Sequence, residues 1–204
     1  MRTLRYSYNN SALILIGINI IVYVLEQIFP RLAFYLALYP VAVMHGWVWQ
    51  IITYMFVHGN LSHLLFNMLA LFVFGVQVER HLGSREFLSY YFSTGIFAGL
   101  FSFVIFLLTN HYNVWLMGAS GALFAIQLAY AVIFPKAVLY LWGLLPLKAP
   151  LMVLGFTALE IVLLLLGLQS GVAHLTHLAG FGFGWLYFLI RLKKNPWLSF
   201  RRTS

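Results

Sequence analysis

The chain has 204 residues, of which 63% are hydrophobic and 8% charged, with a formal net charge of +8 and a mean hydropathy of +0.92. Soluble domains carry about a quarter of their residues as charges, so a domain mostly surrounded by water is excluded, and the long unbroken apolar runs exclude a barrel of alternating strands. Cysteine is absent, which removes disulfides, thiol nucleophiles and cysteine metal sites.

Residues 1–10 form a short polar segment, and the first apolar run covers about 11–29. Its end, Leu25-Glu26-Gln27, has no small-residue cleavage pattern, so the run is expected to stay in place as a helix. Residues 30–49 are rich in Tyr, Phe and Trp, are broken by Pro40, and are too short to span. They are expected to lie in the membrane interface on the outer side. Five further runs cover about 61–78, 87–108, 120–134, 151–168 and 172–192. Most approach the ~20 residues needed to cross ~30 Å of hydrocarbon. The run at 120–134 is short and begins at Ser120, which predicts that its start lies below the membrane surface. Irregular backbone is tolerated there only where it is packed or lines a wet cavity. A basic tail follows over 192–204. The pattern predicts an all-α polytopic membrane protein, a six-helix bundle forming a single domain over 1–204, with no internal repeat.

Six crossings place both termini on one side. That side receives Arg2, Arg5, Arg80, Arg85, Lys136, Lys148, Arg191, Lys193, Lys194, Arg201 and Arg202, and the other receives only Arg31. By the positive-inside rule the crowded side is cytoplasmic, as expected of a bacterial plasma-membrane protein. The same rule accounts for the basic excess, so nucleic acid is not an expected partner and the lipid bilayer is.

Three short motifs carry chemistry. In His58-Gly-Asn-Leu-Ser-His63-Leu-Leu-Phe-Asn67, His63 and Asn67 are four apart and share a helix face. Polar groups at membrane depth serve either as glue between helices or as a functional interior. Glue is the better reading of an isolated pair, and a site becomes the better one beside a serine and a histidine on other helices. Ser120 lies between Gly118 and Gly121, where glycine permits a tight turn and close approach to the backbone. It also opens a helix, whose free amides and positive dipole end suit an oxyanion; alone, it reads as an ordinary N-cap. The last run contains His174-Leu-Thr-His177-Leu-Ala-Gly180 and then Gly184. Gly180 and Gly184 form a small-xxx-small ridge, with His177 nearly one turn ahead on roughly the same face. If that ridge packs on the helix begun by Ser120, hydroxyl and imidazole come within the reach that nucleophile activation requires. His174 is expected nearer the outer end and solvated, and no role is assigned to it.

Together these motifs resemble the rhomboid family of intramembrane serine proteases. The resemblance rests on His58-x4-His63-x3-Asn67, Gly118-Ala-Ser120-Gly121, His177-Leu-Ala-Gly180 with Gly184, and Gly75 followed by Glu79-Arg80, and it extends over almost the whole chain. It implies Ser120 as nucleophile and His177 as general base, then acid. It implies an oxyanion site from the Ser120 backbone N–H, the His63 side chain and the Asn67 amide, supported by His58, Gly118, Gly121, Phe124, Gly180 and Gly184. It also implies a laterally embedded outer loop from Pro30, and a gate and cap formed by the fifth helix and residues 168–171. The implied clients are single-pass membrane proteins with helix-weakening residues and a small side chain before the cut. No cofactor and no metal is implied. Phe124 stands where many members carry a tyrosine stacked on the histidine, and Trp49-Gln50 stands where the outer loop often has Trp-Arg. Asp is absent and Glu occurs only at 26, 79, 86 and 160. The dyad is therefore expected to hold its histidine by packing rather than by a carboxylate, and Glu160 has no counterpart in the motifs.

Other intramembrane chemistries find no residues. There is no His-Glu-x-x-His string for zinc, no pair of Asp, and no lysine expected on the outer side. A catalytically silent client-binding relative would typically lack the serine or the histidine. A small transporter lined by His63, Asn67, His177 and Glu160 would be expected to show repeats and paired broken helices.

Overall fold

The computed structural model describes residues 4–141, 143–167 and 171–201. It is a helical membrane bundle. The first span is α1 (Ser11–Ile28). The loop expected on the outer side follows, with α2 (Arg31–Leu36), α3 (Pro40–Met44), α4 (Gln50–Thr53) and a 3₁₀ turn at Tyr54–Phe56. The second span joins α5 (Leu61–Ala70) through a π-helical turn at Leu71–Gly75 to α6 (Val76–Leu82). The remaining spans are α7 (Ser84–Leu108), α8 (Ser120–Ile133), α9 (Ala149–Leu165) and α10 (Gly171–Ile190), and α11 (Pro196–Arg201) follows. By length and composition, Ser11–Ile28, Leu61–Leu82 and Ser84–Leu108 are each long and apolar enough to cross a membrane, and α8 and α9 are shorter apolar helices.

α8 is the axis of the bundle. At 14 residues it is only about 21 Å long, so it falls short of the ~30 Å hydrocarbon thickness. Its apolar residues run all round, the pattern of a helix enclosed by others. Gly121, Ala122, Leu123, Ala125, Ile126, Leu128, Ala129, Ala131 and Val132 are all buried. Peripheral spans instead turn large apolar side chains outward, among them Ile14, Ile21, Phe66, Leu108, Leu151 and Leu165, as lipid contact requires.

A two-stranded antiparallel hairpin, β1 (Val138–Leu141) and β2 (Leu145–Lys148), links α8 to α9. Nothing in the sequence pattern marks it, because Pro146 interrupts β2. A two-stranded ribbon has only edges, where proline is tolerated.

Two buried carboxylates tie the spans together at the end away from Ser120. Glu79 Oε1 accepts from the Ser11 N–H and the Ser84 hydroxyl, both at 2.6 Å, and Oε2 accepts from the Ala12 N–H at 2.9 Å. Asn10, the residue before α1, makes no side-chain cap, so Glu79 supplies the charge and the acceptors that a helix N-terminus needs. Glu86 accepts from the Leu4 N–H, the Tyr187 hydroxyl and the Arg191 guanidinium.

The outer loop is anchored by the Trp-Gln pair. Gln50 is 0% exposed; its amide donates to Phe34 O and its oxygen accepts from the Tyr39 N–H, both at 3.0 Å. The Trp49 indole donates to Tyr35 O at 2.9 Å and the Thr53 hydroxyl to Leu36 O at 2.7 Å. Leu38 and Leu116 exchange backbone hydrogen bonds, and the Gly118 N–H donates to Tyr54 O. The loop thereby fixes the strand of chain that delivers Ser120.

Candidate active site

Gly118 sits at φ 111°, in the left-handed region, and a Cβ there would lie 2.7 Å from the His63 ring. The turn into α8 thus demands glycine both for conformation and for the approach of His63. Two residues later Ser120 opens α8, with Oγ 2.7 Å from His177 Nε2. The partner helix is α10. A Cβ on Gly180 would collide with the Gly121 carbonyl, and one on Gly184 would lie 2.9 Å from the Ala125 Cβ. Bare glycine backbone on both sides lets α8 and α10 meet closely enough for the serine–histidine contact. Phe124, one turn along α8, stacks flat on His177, with centroids 4.6 Å apart at 9°. Beside it, the Ser102 and Thr176 hydroxyls share a buried 2.6 Å hydrogen bond between α7 and α10.

The start of α5 faces this pair. The Asn60 side chain caps the helix, accepting from the His63 N–H at 2.8 Å. Asn67 donates from Nδ2 to His63 O at 2.9 Å. An amide nitrogen has two hydrogens, so a second remains for another acceptor. His58, in the turn before α5, meets the His63 ring edge to face at 5.1 Å. Its Nδ1 donates to Phe56 O at 3.2 Å, while Nε2 is buried without a partner among the described residues. Burial, and secondarily the neighbouring His63, push the His58 imidazole down to about 4, so it is a neutral packing group at pH 7. His63, Asn67, Ser120, Phe124, Gln127 and His177 line a cavity of about 230 Å³.

Two expectations about this region need correcting. His177 is not held by packing alone, because Glu160 Oε1 of α9 lies 3.0 Å from its Nδ1. Nor is His174 solvated. It is 4% exposed, and its Nδ1 pairs with the other Glu160 oxygen. The physical cause is helical spacing: His174 and His177, three apart, face α9 together. The sequence signal was a charge in the middle of an apolar helix, which requires a partner at that depth. The donor atoms of Glu160, His174 and His177 all lie within 4.8 Å of one another, a set with metal-ligand chemistry. Gln127, with a buried and unpaired Oε1, also went unmarked by any motif. Of the gate and cap segment at 168–171, residues 168–170 lie outside the described residues.

Residues 45–194 match the Rhomboid domain family. The rhomboid protein YdcA of Bacillus subtilis is 30% identical over 157 residues, covering 77% of this chain and 74% of the relative. The rhomboid protease AarA of Providencia stuartii is 30% identical over 190 residues, covering 82% of this chain and 67% of the relative. Mitochondrial rhomboid protein 1 of Saccharomyces cerevisiae is 35% identical over 132 residues, 63% of this chain and 38% of the relative. With the match spanning most of the bundle, the chain belongs to the rhomboid family.

Proposed function

We propose that the protein is an intramembrane serine endopeptidase, cutting a peptide bond in or near the transmembrane segment of membrane-protein clients. The observation that carries this reading is the 2.7 Å contact between Ser120 Oγ and His177 Nε2 at the start of α8. Proteases among the relatives support it. His177 Nε2 takes the hydroxyl proton as Ser120 Oγ attacks the scissile carbonyl. The oxyanion of the tetrahedral intermediate forms beside the Ser120 N–H, the His63 side chain and the free Asn67 amide hydrogen, donors fixed before the charge develops. His177 then gives its proton to the leaving amine, and water repeats the cycle on the acyl-serine. The cavity, where Asn67, Ser120, Gln127 and His177 offer polar groups among apolar side chains, provides a place for that water. The charge asymmetry supports cytoplasmic termini and a site opening to the outer side, and a bacterial plasma membrane is the setting proposed.

The test is labelling of detergent-purified protein by a fluorophosphonate, which reports an activated serine without any knowledge of the client. Wild type is expected to label, and Ser120→Ala and His177→Ala are expected not to. Cleavage of a transmembrane test substrate by clean Ser120→Ala protein would overturn the mechanism. Folded wild type that neither labels nor cleaves would replace it with a client-binding role.

A further inference from the structure

Glu160 lies well inside α9, between Leu159 and Ile161, both of which are exposed on the bundle surface. A carboxylate at such depth is costly unless its charge is met. Among the described residues, both groups that meet it are histidines of α10. Oε1 faces His177 Nδ1 at 3.0 Å, and Oε2 faces His174 Nδ1. With one oxygen for each ring, the carboxylate is clamped from two sides. The far nitrogen of His177 is the one that meets Ser120 Oγ. Hydroxyl, imidazole and carboxylate therefore form one unbroken chain across α8, α10 and α9.

Resting on the protease reading above, we infer that Glu160 is a positioning residue completing a Ser120–His177–Glu160 relay, with His174 holding the carboxylate in place. An ionised carboxylate only accepts. The hydrogen of the neutral His177 ring must then reside on Nδ1, leaving the Nε2 lone pair directed at the Ser120 hydroxyl. That is the tautomer a general base needs. When the serine proton moves to Nε2, the ring becomes a cation and the carboxylate at Nδ1 is its counter-charge. Glu160 stays ionised throughout, and the proton on Nε2 leaves with the amine. The same three side chains offer an alternative occupant, a divalent metal ion. A metal on Nδ1 would force the hydrogen onto Nε2 and deprive Ser120 of its base. The two occupants therefore predict opposite consequences for the serine.

Wild type comes first. ¹⁵N-histidine NMR of the full detergent-solubilised chain, at a pH where the ring is neutral, is expected to show His177 protonated at Nδ1. A ring protonated at Nε2 would overturn the proposal, and this reading requires no variant to fold. Fluorophosphonate labelling rates follow. Glu160→Gln is expected to slow labelling by about 10²-fold or more, since its amide can donate to Nδ1 and select the wrong tautomer. The corresponding carboxylate-to-amide change costs about 10⁴ in a serine triad. On a cleaved test substrate the loss should fall on kcat with KM unchanged. His174→Gln is expected to lose roughly tenfold, the usual cost of an outer orienting partner. Glu160→Gln that labels at the wild-type rate with an unchanged unfolding midpoint would overturn the relay. One bound zinc per chain, with EDTA speeding labelling, would overturn it in favour of a metal site; labelling indifferent to EDTA supports it. Failure of the protease reading is separate, because wild type itself would then not label.

Discussion

At the residue scale, His58 shows how burial turns a titratable group into a packing element. Its ring is 3% exposed, sits outside the spans, and is pushed down to about 4 by desolvation and then by His63. An unfolded chain would protonate it near 6.5. Between those values the unfolded state binds the extra proton, so stability rises with pH. His58's contribution is fully present above about 6.5 and is lost as the pH falls towards 4, reaching about 3 kcal/mol. The expected outcome is a thermal unfolding midpoint in detergent that falls across this window in wild type and falls less steeply in His58→Leu. Parallel curves would show that His58 titrates normally. Helical spacing, legible in a linear string, placed His63 and Asn67 on one face, and His58 joined them only through the motifs that resemble the family's. They said nothing of the protonation of His58, which depends on how completely other elements cover it.

At the element scale, α10 carries a contrast between two glycines two positions apart. A Cβ at Gly180 would meet the Gly121 carbonyl, whereas one at Gly182 has nothing within 4 Å. The clash is backbone on backbone and cannot be relieved by a rotamer change, so Gly180→Ala must push α10 off α8. It is expected to cost about 3 kcal/mol or more, at or beyond the top of the usual range for an over-packed core, and to abolish fluorophosphonate labelling with it. Gly182→Ala, in an open helical position, is expected to be neutral or to stabilise by up to about 1 kcal/mol. Unfolding midpoints of the two variants check both signs. The Gly180/Gly184 ridge was readable as a packing surface from its spacing alone. The glycine facing it, Gly121, is four residues into a different motif, and only the packed bundle pairs them.

At the scale of the whole molecule, the bundle is held at one end by Glu79 and polarised at the other around Ser120. Glu79 is 0% exposed and accepts from three donors, about 24 Å along the second span from His63. Glu79→Gln keeps one acceptor oxygen and turns an amide towards the remaining donors. The expected loss is about 3 kcal/mol or more, since charged hydrogen bonds are each worth about 1.5–3. Labelling of the folded fraction should keep the wild-type rate, because the damage is remote; a matched loss of labelling would show that the two ends are coupled. The sequence by itself determined the order of the apolar spans, the shortness of α8, the lipid-facing character of the chain and the membership of Ser120 and His177 in glycine-flanked motifs. Those properties follow from local composition and from the periodicity of a helix, which a string displays directly. Tertiary structure alone decided the company of Glu160. Its partners lie 14 and 17 residues away on another helix, and no local pattern encodes which face of α9 turns towards α10. It likewise decided that Gln50, standing where the family often has an arginine, ties down the loop before α5, because the folded loop brings the Phe34 carbonyl and the Tyr39 N–H to the two ends of its amide.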